Sequence, residues 1–212
     1  RGAVRVREAT LVARGGEVLG IAGVEGAGQR ELLRAMAGRL APSAGTLRLP
    51  ERIGFVPEDR HRDALVLDFS IMENLALRGA GARRGRIRWS SVERHADEVV
   101  RRFDIRAPGP RAPVRTLSGG NQQKLVLARE LDDAPEALVV ESPTRGLDIA
   151  ATAAVHRYLL DARDRGAAVV VYSADLDEVL ALADRLIVMF DGRAREIAPE
   201  RTAAGRAMVG LE

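Results

Sequence analysis

Two short stretches of this 212-residue chain hold residue types at spacings that could bind a phosphate. The first is Gly23-Val24-Glu25-Gly26-Ala27-Gly28-Gln29-Arg30. It follows an apolar run, Val18 to Ala22, that reads as a buried strand. It precedes Glu31 to Gly38, where Leu32, Leu33 and Met36 fall on one helix face. Glycines between a strand and a helix let backbone N–H groups and the helix N-terminus wrap phosphate oxygens. The usual loop continues with Lys, which meets the β and γ phosphates, and Ser or Thr, which holds magnesium. Here those positions are Gln29 and Arg30, so a plain tight turn explains the glycines equally well. The second stretch is Leu117-Ser118-Gly119-Gly120-Asn121-Gln122-Gln123-Lys124. A serine and two glycines opening a helix leave N–H groups and the positive end of the helix dipole facing outward, an anion-binding terminus.

Composition narrows what these stretches can serve. The chain has 33 Lys plus Arg against 30 Asp plus Glu, a net charge of +3, 46% hydrophobic residues and no cysteine. That suits one globular domain, and it excludes disulfides, thiolate zinc sites and cysteine nucleophiles. Lys124 is the single lysine and lies in the second stretch, so the first stretch has no lysine to offer a phosphate. With aromatics at 3%, stacking platforms for single-stranded nucleic acid are absent, and no nucleic-acid partner is expected. Basic residues gather from Arg78 to Arg94, as a solvated surface segment or a contact for acidic groups. No apolar run approaches the ~18 residues that span a bilayer. The chain begins at Arg1 without methionine, which reads as a processed terminus or a segment of a longer protein.

Apolar runs alternate with amphipathic stretches, the pattern of an α/β domain. Strands are predicted at Thr46–Leu49, Ile53–Val56, Ala137–Val140, Ala168–Tyr172, Leu186–Phe190 and Ala194–Ile197, with Asp191-Gly192 as a hairpin turn. Helices are predicted from Ser70, where Glu73 completes a capping box, and over Ser91–Phe103, Ser118–Leu131, Ile149–Arg165 and Leu176–Ala183.

The string LSGGNQQK closely resembles the signature of ABC ATPases, in the form found in importers of simple sugars and nucleosides. Other segments fall in the same family's order. Val56-Pro57-Glu58-Asp59-Arg60 resembles a variant Q-loop. Ala137 to Val140 followed by Glu141-Ser142-Pro143-Thr144 resembles the Walker B strand and its exit. Arg145-Gly146-Leu147-Asp148 resembles the D-loop, and Val171 to Val179 the switch strand and helix. The resemblance runs from about Val4 to Ile197. It implies a P-loop NTPase fold: a RecA-like α/β core, an antiparallel β subdomain, and a helical subdomain over approximately residues 70–131 within a single domain of 1–212.

The departures from the family are chemical. Gln29 stands for Lys, Arg30 for Ser/Thr and Glu141 for the Walker B Asp. Ser142 stands for the carboxylate that polarises water, Ala174 for the switch histidine, and Glu58 for the Q-loop glutamine. No aromatic precedes Phe55 to play the stacking role. His61, His95 and His156 read as surface residues remote from the switch position. A lost charge-assisted contact costs roughly 1.5–3 kcal/mol, and a lost general base costs about 10²–10⁴ in rate. The resemblance therefore implies weak ATP binding through Gly23, Gly26, Ala27, Gly28, Gln29, Arg30, Glu58 and Glu141. It also implies weak or absent magnesium at Glu58 and Glu141, and negligible turnover. Leu117, Ser118, Gly119, Gly120, Asn121 and Gln122 would instead grip an ATP held by a partner ABC domain, with Leu147 and Asp148 coupling the sites. That partner is expected in the N-terminal half of the same polypeptide, beside transmembrane permease subunits on the cytoplasmic side of the cell membrane. Two other readings stand: a self-sufficient ATPase using Arg30 with Glu58 or Glu141, and an ABC protein not tied to transport. The cargo is not legible.

Overall fold

The computed structural model describes residues 5–211. A six-stranded sheet forms the centre, in the order β2-β3-β4-β1-β5-β6. Its strands are β1 (Val18–Gly23), β2 (Ile53–Val56), β3 (Ala137–Glu141), β4 (Ala168–Tyr172), β5 (Arg185–Phe190) and β6 (Arg193–Ile197). All neighbours pair in parallel except β5 and β6. Those two form a hairpin through Asp191 and Gly192, both at positive φ, the geometry of a primed turn.

Both faces of the sheet are covered, which is why its strands read as near-continuous apolar runs. Side chains alternate between the two faces. Val18, Leu138, Val140, Val169 and Val171 enter one cluster, and Leu19, Ile21, Val139 and Val170 enter the other. The second face is packed by α1 (Gln29–Met36) through Leu32 and Leu33. The first is packed by α5 (Gly119–Leu131) and α6 (Ile149–Asp164), with α3 (Ile71–Ala76) and α4 (Trp89–Arg102) joining the same cluster. A third, smaller cluster gathers α7 (Leu176–Leu182) and α8 (Arg201–Met208) against Ala22, Leu186 and Val188.

The expected capping box is present: Ser70 Oγ accepts from Glu73 N and Glu73 Oε2 accepts from Ser70 N. Two helices escaped the sequence reading. The one-turn α2 (Arg60–Asp63) is capped by Asp59, whose carboxylate accepts from His61 N and Arg62 N. The other is α8. Thr46–Leu49 is not a strand; among the described residues, antiparallel strand pairing is that of the β5–β6 hairpin. An alternating pattern four residues long cannot hold a strand without a neighbouring edge to pair with.

Candidate functional site

The carboxyl ends of β1, β3 and β4 meet in adjacent register, Glu141 opposite Tyr172 and Tyr172 opposite Ile21. Above them lies a cleft of about 950 Å³ lined by Gly23, Gly26, Gln29, Arg30, Glu58, Ser142, Arg145 and Tyr172, among others. Such a crevice at the carboxyl ends of parallel strands is where open α/β sheets bind ligands. The loop that forms one wall needs its glycines. Gly28 sits at φ +102°, where a Cβ would lie 2.5 Å from the Arg5 carbonyl oxygen, and Gly26 sits at φ +86°. The chain turns there and opens α1 toward the cleft.

Gln29 lines the cleft and is tied to the protein. Its side chain is buried, and Nε2 donates to Val24 O and to Tyr172 Oη, both at 3.2 Å, tying the loop to β4. Its Oε1 has no partner. Ala27 is buried beneath the loop. Arg30, one residue on, points to the cleft and pairs with Glu58, Nη2 to Oε2 at 2.9 Å. Arg145 takes the other oxygen, Glu58 Oε1. Glu58 N in turn donates to Glu141 Oε2 at 3.3 Å.

Glu141 is 1% exposed, and its Oε1 has no partner. Burial pushes its carboxyl above the usual carboxylate range, opposed by that Glu58 N–H and by the charges of Arg34 and Arg30. A magnesium ion wants several oxygen ligands in octahedral array. The donor set here does not fit one. The hydroxyl is replaced by a guanidinium, both Glu58 oxygens are held by arginines, and Glu141 offers one buried oxygen. Among the described residues, no three acidic or histidine side chains gather as a metal site.

Ser142 and Ala174 both line the cleft. Ser142 leaves β3 at φ +44°, its N–H donating to Tyr172 O at 2.7 Å, and its buried Oγ has no partner. Ala174 lines the cleft without a polar atom on its side chain. One sequence expectation is corrected here: His156 is not a remote surface residue. From α6 its Nε2 meets Glu178 Oε1 at 2.8 Å, Thr144 Oγ1 donates to the same oxygen at 2.7 Å, and Glu178 and Thr144 line the cleft. His156 lies 22 residues from Glu178, so only the packing of α6 against the sheet joins them. His61 and His95 are exposed, as expected, and bond to Gln122 and Asp132.

The second stretch, Leu117 to Lys124, lies elsewhere. Ser118 is exposed and caps α5, its Oγ accepting from Asn121 N and Nδ2. Gly119 and Gly120 leave room for Arg60 and Ala151; a Cβ on either would lie 2.9 Å from them. Leu117 is buried, Asn121 Oδ1 accepts from Arg106 N, and Gln122 bridges His61 and Val114 O. None of Leu117 to Gln122 lines the cleft of the phosphate loop. Asp148 caps α6 through Ala151 N at 2.8 Å, with Leu147 packed against the core beside it. Lys124 points away, to Asp104 O and Oδ2, holding the left-handed turn that ends α4.

A family model described as "ABC transporter" matches residues 6–145. The chain belongs to the ABC transporter family. The nucleoside import ATP-binding protein NupA of Lactococcus lactis subsp. cremoris is 40% identical over 99% of this chain and 46% of its own length. The guanosine import ATP-binding protein NupO of Bacillus subtilis is 39% identical over 91% of this chain and 41% of its own. The chain thus spans less than half the length of these relatives. The dimeric structure of a bacterial ABC transporter cassette superposes with a TM-score of 0.77 at 24% identity, covering 92% of this chain and 91% of that one. The fold is therefore that of an ABC ATPase, and the family implies ATP as its nucleotide, with magnesium as the usual companion. In the cleft, the loop glycines stand beside Arg30 and Arg145, which both pair with Glu58.

Proposed function

We propose that this chain is the ATP-binding domain of an importer of nucleosides or simple sugars, whose own cleft is degenerate and whose signature completes the ATP site of a second ABC domain. The observation that carries this reading is the placement of Ser118: exposed at the N-terminus of α5, and outside the cleft of its own phosphate loop. An intact anion-binding terminus turned away from its own cleft serves a ligand held by another domain. Nucleosides lead as cargo because NupA and NupO carry that name, with ribose importers among the other relatives. Those relatives are more than twice as long, which supports a tandem arrangement with this chain as the second domain. Residues 70–131 would be its helical subdomain, and the partners would be the other ABC domain and a permease, at the cytoplasmic side of the cell membrane.

Self-sufficient hydrolysis lacks support in the cleft, where Gln29 is tied to the protein and neither Ser142 nor Ala174 can act as base. Phosphate release measured on the 212-residue chain with ATP and magnesium is expected at background. Added to a partner ABC domain with an intact Gly-Lys-Ser/Thr loop, it is expected to raise release, and the Ser118→Arg variant to abolish the gain. Turnover by the chain alone at the rate of an intact ABC ATPase would sink the proposal.

A further inference from the structure

The arrangement around Glu58 points to a ligand. Arg30 on α1 and Arg145 beyond β3 come from segments far apart in sequence, yet both close on one carboxylate at the mouth of the cleft. Each guanidinium meets one oxygen of the carboxylate through one nitrogen, so two cations converge on one anionic group as they would on a phosphate. Glu58 side chain is 20% exposed, whereas Arg30 and Arg145 are 55% and 72% exposed, so the arginines are open to an entering anion.

We propose that Arg30 and Arg145 are the cations that take the terminal phosphates of a nucleoside polyphosphate bound without magnesium, and that Glu58 occupies them as an internal stand-in until the ligand displaces it. This rests on the reading of the cleft as a nucleotide site. The two positive charges do what lysine and the metal do in an intact loop, neutralising phosphate charge. They need no oxygen ligands, which this cleft has lost. Magnesium would have to be held beside two guanidinium groups that repel it, with Glu58 already engaged. The cost of displacing Glu58 makes the site weak. Of the other acidic residues on its walls, Glu178 is held by His156 and Thr144 and Asp175 accepts from Asp177 N at the start of α7, while Glu25 and Glu31 add negative charge that further weakens anion binding.

The test is calorimetric titration of ATP into the full chain, in buffer with EDTA and in buffer with excess magnesium. The dissociation constant is expected to agree between the two within about threefold. Glu58→Gln keeps the shape and releases the arginines, so it should tighten binding about three- to tenfold in both buffers, a screened version of one charge-assisted pair. Arg30→Ala and Arg145→Ala should each weaken it about tenfold or more. Where circular dichroism shows Arg30→Ala unfolded, Arg30→Lys keeps the charge, loses the fork and should still weaken binding. Tenfold weaker binding in EDTA, or a Glu58→Gln variant that is folded but binds no tighter, would overturn the proposal. Absence of ATP binding in both buffers would overturn it too. The signature reading would survive that result, since it is judged by phosphate release from the partner domain.

Discussion

Glu141 shows how far burial can change a residue that differs from its family counterpart by one methylene. Its ionised form is disfavoured by the apolar surroundings of β3, and one backbone N–H and two nearby arginines compensate only in part. The folded state therefore holds this proton to higher pH than the unfolded chain does. Stability contributed by the protonated form is present below the ordinary carboxylate value, falls as pH rises from there through the raised folded value, and is flat above it. Glu141→Gln keeps an acceptor for Glu58 N and has no charge to bury. Thermal melts from pH 4 to 8 are expected to show the parent losing stability relative to this variant across that window. Parallel melting curves for the two proteins would contradict it.

At the scale of elements, the cleft walls depend on close approach. Gly20 in β1 faces α7, and a Cβ there would lie 2.6 Å from Val179 Cγ1 and 2.8 Å from Ala183 Cβ. Because α7 carries Glu178, the distance between β1 and α7 also places the polar group shared by Thr144 and His156. Gly20→Ala is expected to cost about 1–3 kcal/mol by overpacking, read as a lower urea midpoint with an unchanged slope. The helix starts tell a simpler story. Ser70, Ser118 and Asp148 each accept from a backbone N–H three residues on, as their sequence positions require, and those helix starts were readable without tertiary information. The start of α8 has no side-chain cap, which is one reason it escaped the sequence reading.

For the molecule as a whole, one arginine ties distant parts of the chain together. Arg185 on β5 donates to Glu196 on β6, to Glu17 just before β1, and to Val12 O in the N-terminal segment. Its side chain is largely buried, so Arg185→Ala would leave Glu17 and the Val12 carbonyl without this donor. A loss of about 1–2 kcal/mol is expected in chemical denaturation; a change within error would show that water replaces these bonds freely. The same long-range logic separates what could be read from what could not. Apolar runs, glycine spacing and caps are local, so the six sheet strands, the phosphate-loop turn and the signature helix could be read from adjacent residues, whereas whether Thr46–Leu49 formed a strand depended on a pairing edge. The absence of lysine at Gln29 is likewise a matter of identity, read directly from the position of the single lysine, Lys124. What those substitutes do was decided by tertiary structure. Gln29 turning inward to Tyr172, Glu58 clasped by Arg30 and Arg145, and His156 reaching Glu178 join residues 22 to 143 positions apart. No local periodicity encodes such pairs; they exist because the sheet brings the carboxyl ends of β1, β3 and β4 together and sets the segments that follow them side by side.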